Sequence, residues 1–496
     1  MQTIGKNASY IYFETIVRLF SSFLLWILLT KISTPQVIGT SSALISLATI
    51  FATIASVGVP LGIPLFLGRI FSENRLQDAR VFIYSSLLIV SIGLIASAFL
   101  VFVIRDFFYN QFSADLLILS ISLAAFTAIA NLFRSIIVAS LQLEFLPKVI
   151  IVSSVLMMTI AVGLVLLGQG PSGVIMAYSC SYALFSILLI YHIRMVFKST
   201  SKAALKLSSS VKSLLKASVP TWIPNLITLI GSAELGTVIV FGSLGANQAG
   251  SYFISFAIFS VIAAISYSIF TVAFPWLSSL NDGRKRLLWK LLKTSLLLSL
   301  PISSSLIFYS NDIMKLIGKD YVQGTAALQL FLISLLPNSV FMAISLLVYS
   351  YRKYKQVLVL GLCSSIPRVI LYFVLVFVYG STGAALSYTL GSLTGFIVSI
   401  IVAKNVGMIL YWRDIVLMFI IPIFLSFAFD YMGLNYVIGI FFAVGITYGT
   451  LYKCRFIKRQ DTENILELLP MGFRGQVTNL LNKIGTKQDG GGGERT

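Results

Sequence analysis

Apolar runs of about 20 residues, separated by short polar joints, follow one another along almost the whole chain. A helix of that length spans the hydrocarbon of a bilayer, and in lipid only helices and closed barrels satisfy every backbone polar group. The runs fall near 9–30, 37–66, 81–104, 116–140, 148–168, 172–196, 218–241, 248–278, 289–310, 325–350, 356–379, 382–403, 411–429 and 434–452, which makes fourteen helices. Only 11% of residues are charged, against about 25% in soluble domains. The fold class is therefore an all-α polytopic membrane protein. The net charge of +19 belongs to its membrane topology and calls for no nucleic acid.

The positions of the charges test the helix count. With the N-terminus cytoplasmic, Lys31, Arg105, Lys315 and Lys319 are the only outer cations outside the spans among the 36 Lys and Arg, and Arg18, Arg134 and Arg368 lie within spans. The external joints carry Asp106, Asp115, Asp312, Asp320 and Asp430 instead. This bias places both termini inside, and losing one helix would invert every later loop. Cys180, Cys363 and Cys454 are scattered without CxxC spacing, and the single histidine, His192, sits beside Arg194. No metal or disulfide framework follows.

The chain also repeats itself. Gly170-Pro-Ser-Gly173 with Ala177-Tyr178-Ser179 recurs 210 residues later as Gly380-Ser-Thr-Gly383 with Ser387-Tyr388-Thr389. Gln36-Val-Ile-Gly39 recurs as Gln248-Ala-Gly250, and Pro64 as Pro275, with Gly39 and Gly250 offset by 211. Six helices separate the equivalents, so the halves are parallel repeats about an axis along the membrane normal. The organisation expected is a first lobe at 1–197, a basic connector at 198–217, a second lobe at 218–404, two unrepeated helices at 405–453 and a cytoplasmic tail at 454–496. Within the tail, 461–469 and 475–484 read as short amphipathic surface helices.

Several segments together resemble the polysaccharide-type flippases of the multidrug/oligosaccharidyl-lipid/polysaccharide transporter superfamily. They are Lys31 to Arg69, Gly242 to Pro275, Ile317 to Gln356 and Tyr379 to Tyr388, within a similarity over about the first 410 residues. The resemblance implies two six-helix lobes around a central cleft that opens alternately to either face. The implied cargo is a polyprenyl-phosphate- or pyrophosphate-linked oligosaccharide, flipped from the cytoplasmic to the outer leaflet of a prokaryotic plasma membrane. It also implies a cationic cavity, no enzymatic activity, and no cofactor beyond H⁺ or Na⁺ as a coupling ion. The expected partners are the bilayer, the anionic lipid-linked oligosaccharide and glycan-assembly proteins, with the chain working as a monomer.

This chain's own charges supply the candidates. An anionic phosphate away from bulk water needs fixed cations, and arginine binds it through two parallel hydrogen bonds. Arg18, Arg134 and Arg368 are the candidates. Arg134 is near enough to the cytoplasmic end to snorkel instead, whereas Arg368, after Pro367, lies near mid-span. Glu14, one turn before Arg18, and Glu234 are the carboxylates for a coupling ion or the cavity. Glu14 and Arg18 can equally neutralise each other as an i,i+4 pair, and Glu234 can equally make a structural hydrogen bond. In the repeat, Asn225 stands where Glu14 does, Leu229 where Arg18 does and Ser232 where Ser21 does, so charge is confined to the first lobe. Asn225, Thr228 and Ser232 suit sugar hydroxyls, or simply glue helices together. The rival readings are a cation-coupled multidrug exporter and a membrane glycosyltransferase or polymerase. The exporter favours an acidic, aromatic cavity; the enzyme needs catalytic carboxylates or a large loop.

Overall fold

The computed structural model describes residues 2–73, 76–103, 112–196, 207–280 and 282–453. The start of the basic connector and the whole tail, with its two surface helices, lie outside the described residues. The first lobe contains α1 (Gln2–Ile32), α2 (Pro35–Ala55), α3 (Val59–Ser72), α4 (Leu76–Val103), α5 (Ala114–Ala139), α6 (Phe145–Leu166) and α7 (Gly170–Val196). The second contains α8 (Leu207–Ile230), α9 (Ala233–Leu244), α10 (Ala246–Ser279), α11 (Arg284–Phe308), the short α12 (Ser310–Ile317), a 3₁₀ turn (Lys319–Gly324), α13 (Thr325–Ile333), α14 (Leu335–Ser350) and α15 (Tyr354–Val406). The unrepeated pair, α16 (Trp412–Tyr431) and α17 (Tyr436–Lys453), packs on α11, where Ser305 and Ser426 hydroxyls meet at 3.2 Å.

Twelve helical segments are long and apolar enough to cross a membrane, and α8 with α9 forms a thirteenth crossing bent by 44°. One of the twelve, α15, has 53 residues, about 80 Å at 1.5 Å per residue, far beyond one bilayer. It breaks at Gly380, whose φ of 64° and ψ of −143° are not helical, so it makes two crossings and the described total is fourteen.

Three details depart from the sequence reading. The run expected as one helix at 37–66 is broken between α2 and α3, where Val57 and Gly58 adopt positive φ. The seventh run is broken at Gly231-Ser232. The connector expected at 198–217 is already helical from Leu207, because Ser210, Leu214 and Ser218 recur every fourth residue on one buried stripe.

The repeat is visible in the backbone. Gly170 and Gly380, the equivalent joint glycines, both have positive φ, 53° and 64°. The other repeated glycines touch across the lobes: a Cβ on Gly39 would collide with the Ala246 carbonyl, and one on Gly250 with the Pro35 carbonyl. That reciprocal contact is what a two-fold related pair makes at its axis. It brings α2 against α10 at the face that the charges assign to the outside. Lys31 adds a second outer contact, donating to the carbonyls of Leu316 and Ile317 at the end of α12, at 2.6 and 3.0 Å. Toward the inner side α3 lies equally close to α8. A Cβ on Gly58 would strike Trp222 and Ser218, and the Trp222 indole donates to the Thr53 carbonyl at 2.9 Å. The lobes thus meet at both ends of their interface.

Candidate functional site

α1 carries Glu14, Arg18 and Ser22 on successive turns of one side. The Glu14 side chain is fully buried; its hydrogen-bonded partner is Arg134 of α5, while the expected i,i+4 ion pair with Arg18 is present as well but longer. Arg134 Nε donates to Oε1 at 3.0 Å and Nη2 to Oε2 at 2.6 Å, a bidentate pair. Arg134 therefore turns to a carboxylate, not to the headgroups.

Arg18 Nη1 stands 3.8 Å from Glu14 Oε1, beyond hydrogen-bond range, and 41% of its side chain is exposed. Two guanidiniums share one carboxylate, so the cluster keeps one positive charge, held on Arg18. Tyr182 of α7 lies within electrostatic reach of Arg18. Tyr178, one turn away, has its hydroxyl 3.4 Å from Ser22 Oγ, and its ring packs near Trp26. On α5, exposed Asn131 precedes Arg134 by three residues, on the same side. An exposed amide and a half-exposed arginine on membrane-crossing helices face wet or protein-lined space, not hydrocarbon.

The second lobe places its arginine differently. Arg368 reaches the break between α8 and α9, where the chain leaves carbonyls without helical partners. Its Nη1 donates to the Gly231 carbonyl at 3.0 Å and its Nε to the Tyr388 carbonyl at 3.2 Å. Nη2 donates to Ser392 Oγ at 2.7 Å and to Asn338 Oδ1 at 3.3 Å. The guanidinium lies over the Tyr388 ring, 4.2 Å from its centroid. Gly391 makes room for the arm, since a Cβ there would collide with Arg368 Cγ. One turn on, the Tyr372 hydroxyl donates to the Ser232 carbonyl at 3.1 Å. Arg368 is 7% exposed, and among the described residues no carboxylate lies within ion-pair distance of it.

Of the residues expected to form the site, the structure brings Glu14, Arg18 and Arg134 together and sets Arg368 apart in the other lobe, beside Ser232. A phosphate would reach Arg368 only by displacing four protein acceptors. Glu234, in the first turn of α9, has no hydrogen bond or ion pair among the described residues, but acts electrostatically on the Tyr252, Tyr372 and Tyr388 hydroxyls. Asn225 and Thr228 are exposed on α8, the Thr228 hydroxyl donating to the Pro224 carbonyl at 2.9 Å. Sequence reasoning missed Asn131, Tyr182, Asn338 and Ser392. It met Tyr178 and Tyr388 only as marks of the repeat, although the repeat places these two tyrosines at equivalent points of the two lobes.

At the outer face, a cleft of about 630 Å³ opens between the lobes, lined by Thr34, Pro35, Gln36, Asn247, Lys319, Asp320 and Gln323.

The family described as polysaccharide biosynthesis protein matches residues 34–323. No curated protein matches the sequence. Among solved structures, the chain is similar to the lipid II flippase MurJ in an inward closed conformation, at 16% identity and a TM-score of 0.71, covering 91% of this chain and 99% of that one. It is similar to a multidrug resistance MATE family transporter of the MOP superfamily in an inward-facing conformation, at 14% identity and a TM-score of 0.54, covering 82% and 94%. It is also similar to a point mutant of the MATE transporter VcmN of Vibrio cholerae, at 12% identity and a TM-score of 0.53, covering 82% and 96%. At such identities the likeness is one of fold.

Proposed function

Because the chain belongs to the polysaccharide biosynthesis protein family, we propose that it is a flippase for a polyprenyl-phosphate- or pyrophosphate-linked oligosaccharide. It would carry this lipid from the cytoplasmic to the outer leaflet of a prokaryotic plasma membrane by alternating access. The observation that carries the reading is the surplus positive charge at Arg18, half-exposed beside a carboxylate that Arg134 already satisfies. A buried carboxylate pair with no excess charge would have nothing to offer an anion.

In this reading the phosphate approaches Arg18 first. The Glu14–Arg134 pair holds the local geometry and leaves Arg18 only a long ion pair with Glu14, at 3.8 Å, from which an anion can draw it. The exposed amides and hydroxyls of Asn131, Asn225 and Thr228 line the path of the sugar, where neutral groups exchange hydrogen bonds without trapping it. The polyprenyl tail remains in the bilayer, so the chain needs only a slot for the head. Opening outward separates α2 from α10 at Gly39 and Gly250, and opening inward separates α3 from α8 at Gly58 and Trp222. The chain works as a monomer, with glycan-assembly proteins supplying and removing the substrate. The membrane potential, negative inside, favours outward movement of an anion by about 2.3 kcal/mol per charge per 100 mV. A multidrug exporter on the same fold would instead present an acidic face, and here the one buried carboxylate of the cluster is cancelled.

The test is reconstitution. Vesicles containing the protein should flip a fluorescent polyprenyl-pyrophosphate oligosaccharide and leave cationic dyes where they are. Dye efflux with no lipid flipping would make the chain an exporter.

A further inference from the structure

We infer that the second lobe carries its own monovalent cation, covalently attached as the Arg368 guanidinium, at a position built to hold a free one. The inference rests on reading the chain as a transporter and concerns which ions it uses.

A span broken at mid-membrane leaves carbonyls at the end of its first half without helical partners, and in secondary transporters such carbonyls commonly coordinate Na⁺ or receive a proton. Here the break is Gly231-Ser232, between α8 and α9. Every hydrogen-bond partner of the guanidinium is a neutral oxygen: two backbone carbonyls, Gly231 and Tyr388, one hydroxyl, Ser392, and one amide oxygen, Asn338. These come from the end of α8, from α14 and from the second arm of α15, so the acceptors converge from three helices on one buried point. The face of the Tyr388 ring adds a further attraction for positive charge.

The set is a cation cage by its chemistry. An arginine within a span pairs either with a carboxylate, as Arg134 does with Glu14, or with backbone carbonyls. Arg368 has no carboxylate within ion-pair distance among the described residues, and every hydrogen bond it donates goes to a neutral oxygen, with Glu234 of α9 near enough only to act electrostatically on Tyr372 and Tyr388. Two further hydroxyls beside the break, Ser232 Oγ and Ser365 Oγ, are buried and have no hydrogen-bond partner among the described residues. Ser365 lies directly against Gly231, where a Cβ would strike it. Both hydroxyls thus remain unspent by the guanidinium and open to a smaller ion placed at the break. A guanidinium cannot be released when the lobes move, so the break stays charged and closed through the whole cycle. Na⁺, K⁺ and Li⁺ are excluded from this site, and transport is not coupled to any of them through it.

Purified protein without substrate tests this, independently of whether the chain flips lipids. Thermal unfolding is followed in sodium, potassium, lithium and choline chloride at equal ionic strength, with ²²Na⁺ binding measured on the same samples. The wild type should unfold at the same temperature in all four salts and bind no saturable ²²Na⁺. Arg368→Ala should unfold about 5 °C lower in choline. It should recover most of that loss in a small metal cation or in low guanidinium, and acquire saturable ²²Na⁺ binding that unlabelled Na⁺ competes away. Arg368→Lys, which keeps the charge but not the fork, should be less stable than wild type and just as indifferent to the cation. Saturable Na⁺ binding to the wild type overturns the inference. So does an alanine variant that no cation restores, or a lysine variant that responds to Na⁺ as the alanine variant does. If Arg368→Ala cannot be purified, Arg368→Gln takes its place in the same measurements, with the same rescue and ²²Na⁺ binding expected and the same failures overturning the inference.

Discussion

The two lobes repeat the same glycine and tyrosine positions, yet they handle a membrane-embedded arginine in opposite ways. In the first, Arg134 grips Glu14 and leaves Arg18 charged, half-exposed and held only by a 3.8 Å ion pair to the same carboxylate. In the second, Arg368 is enclosed by four neutral acceptors and an aromatic face. The lesson is that an arginine inside a span does not by itself mark a substrate site. What matters is whether its hydrogen-bonding capacity is already spent. By that criterion the first lobe offers a charge to an anion and the second uses its charge to close a broken helix.

The largest effect expected comes from splitting the first-lobe pair. Arg134→Ala strips buried Glu14 of both its hydrogen bonds and leaves it only the long ion pair with Arg18, a loss of up to about 3–5 kcal/mol, and should remove most folded protein from the membrane fraction. Adding Glu14→Gln should restore much of it, and a double variant no better than the single one would show that the pair is not what Arg134 contributes. Next comes the crossing of α2 and α10. Gly39→Val forces a side chain into the Ala246 backbone, costing the outer-closed state about 1–3 kcal/mol. Cysteine labels in the outer cleft, at Gln36 or Asn247, should react faster by roughly 10-fold or more; unchanged labelling would remove this contact from the outer gate. A smaller effect is expected from Lys31→Ala, which removes two hydrogen bonds to the end of α12, about 0.5–1.5 kcal/mol each at most for so exposed a group. The same labels should report a shift in the same direction as Gly39→Val but weaker.

Much of this fold is legible in the sequence because bilayer physics is coarse: length and apolarity locate crossings, and lysine and arginine placement orients them. The repeat is legible because Gly170 and Gly380, or Gly39 and Gly250, meet backbone requirements that admit little else. The breaks were harder to read. Between α2 and α3 the Val57-Gly58 turn lies inside an apolar stretch with no polar punctuation, and Gly231-Ser232 looks like ordinary small-residue packing. The site was half legible. Charge type and depth identify Glu14, Arg18, Arg134 and Arg368, but which arginine takes the carboxylate depends on how α5 lies against α1. The i,i+4 spacing of Glu14 and Arg18 points them to each other, and that ion pair is present, but the hydrogen bonds go to Arg134, whose geometry is bidentate. Nothing along the chain announces that Asn338, Tyr388 and Ser392, far apart in sequence from Gly231, would surround Arg368 with it.

The central claim is that the first lobe's surplus charge, and Arg18 in particular, receives the anionic head. It is tested most directly by Arg18→Gln, assayed in parallel for flipping of a polyprenyl-pyrophosphate oligosaccharide in vesicles and for thermal unfolding of the purified protein. Because Arg18 makes only a long, half-exposed ion pair with Glu14, unfolding should shift by no more than about 1–2 °C, while flipping falls by roughly 100-fold, the loss of a charge-assisted bidentate contact. Normal flipping by a normally stable Arg18→Gln protein would contradict the account.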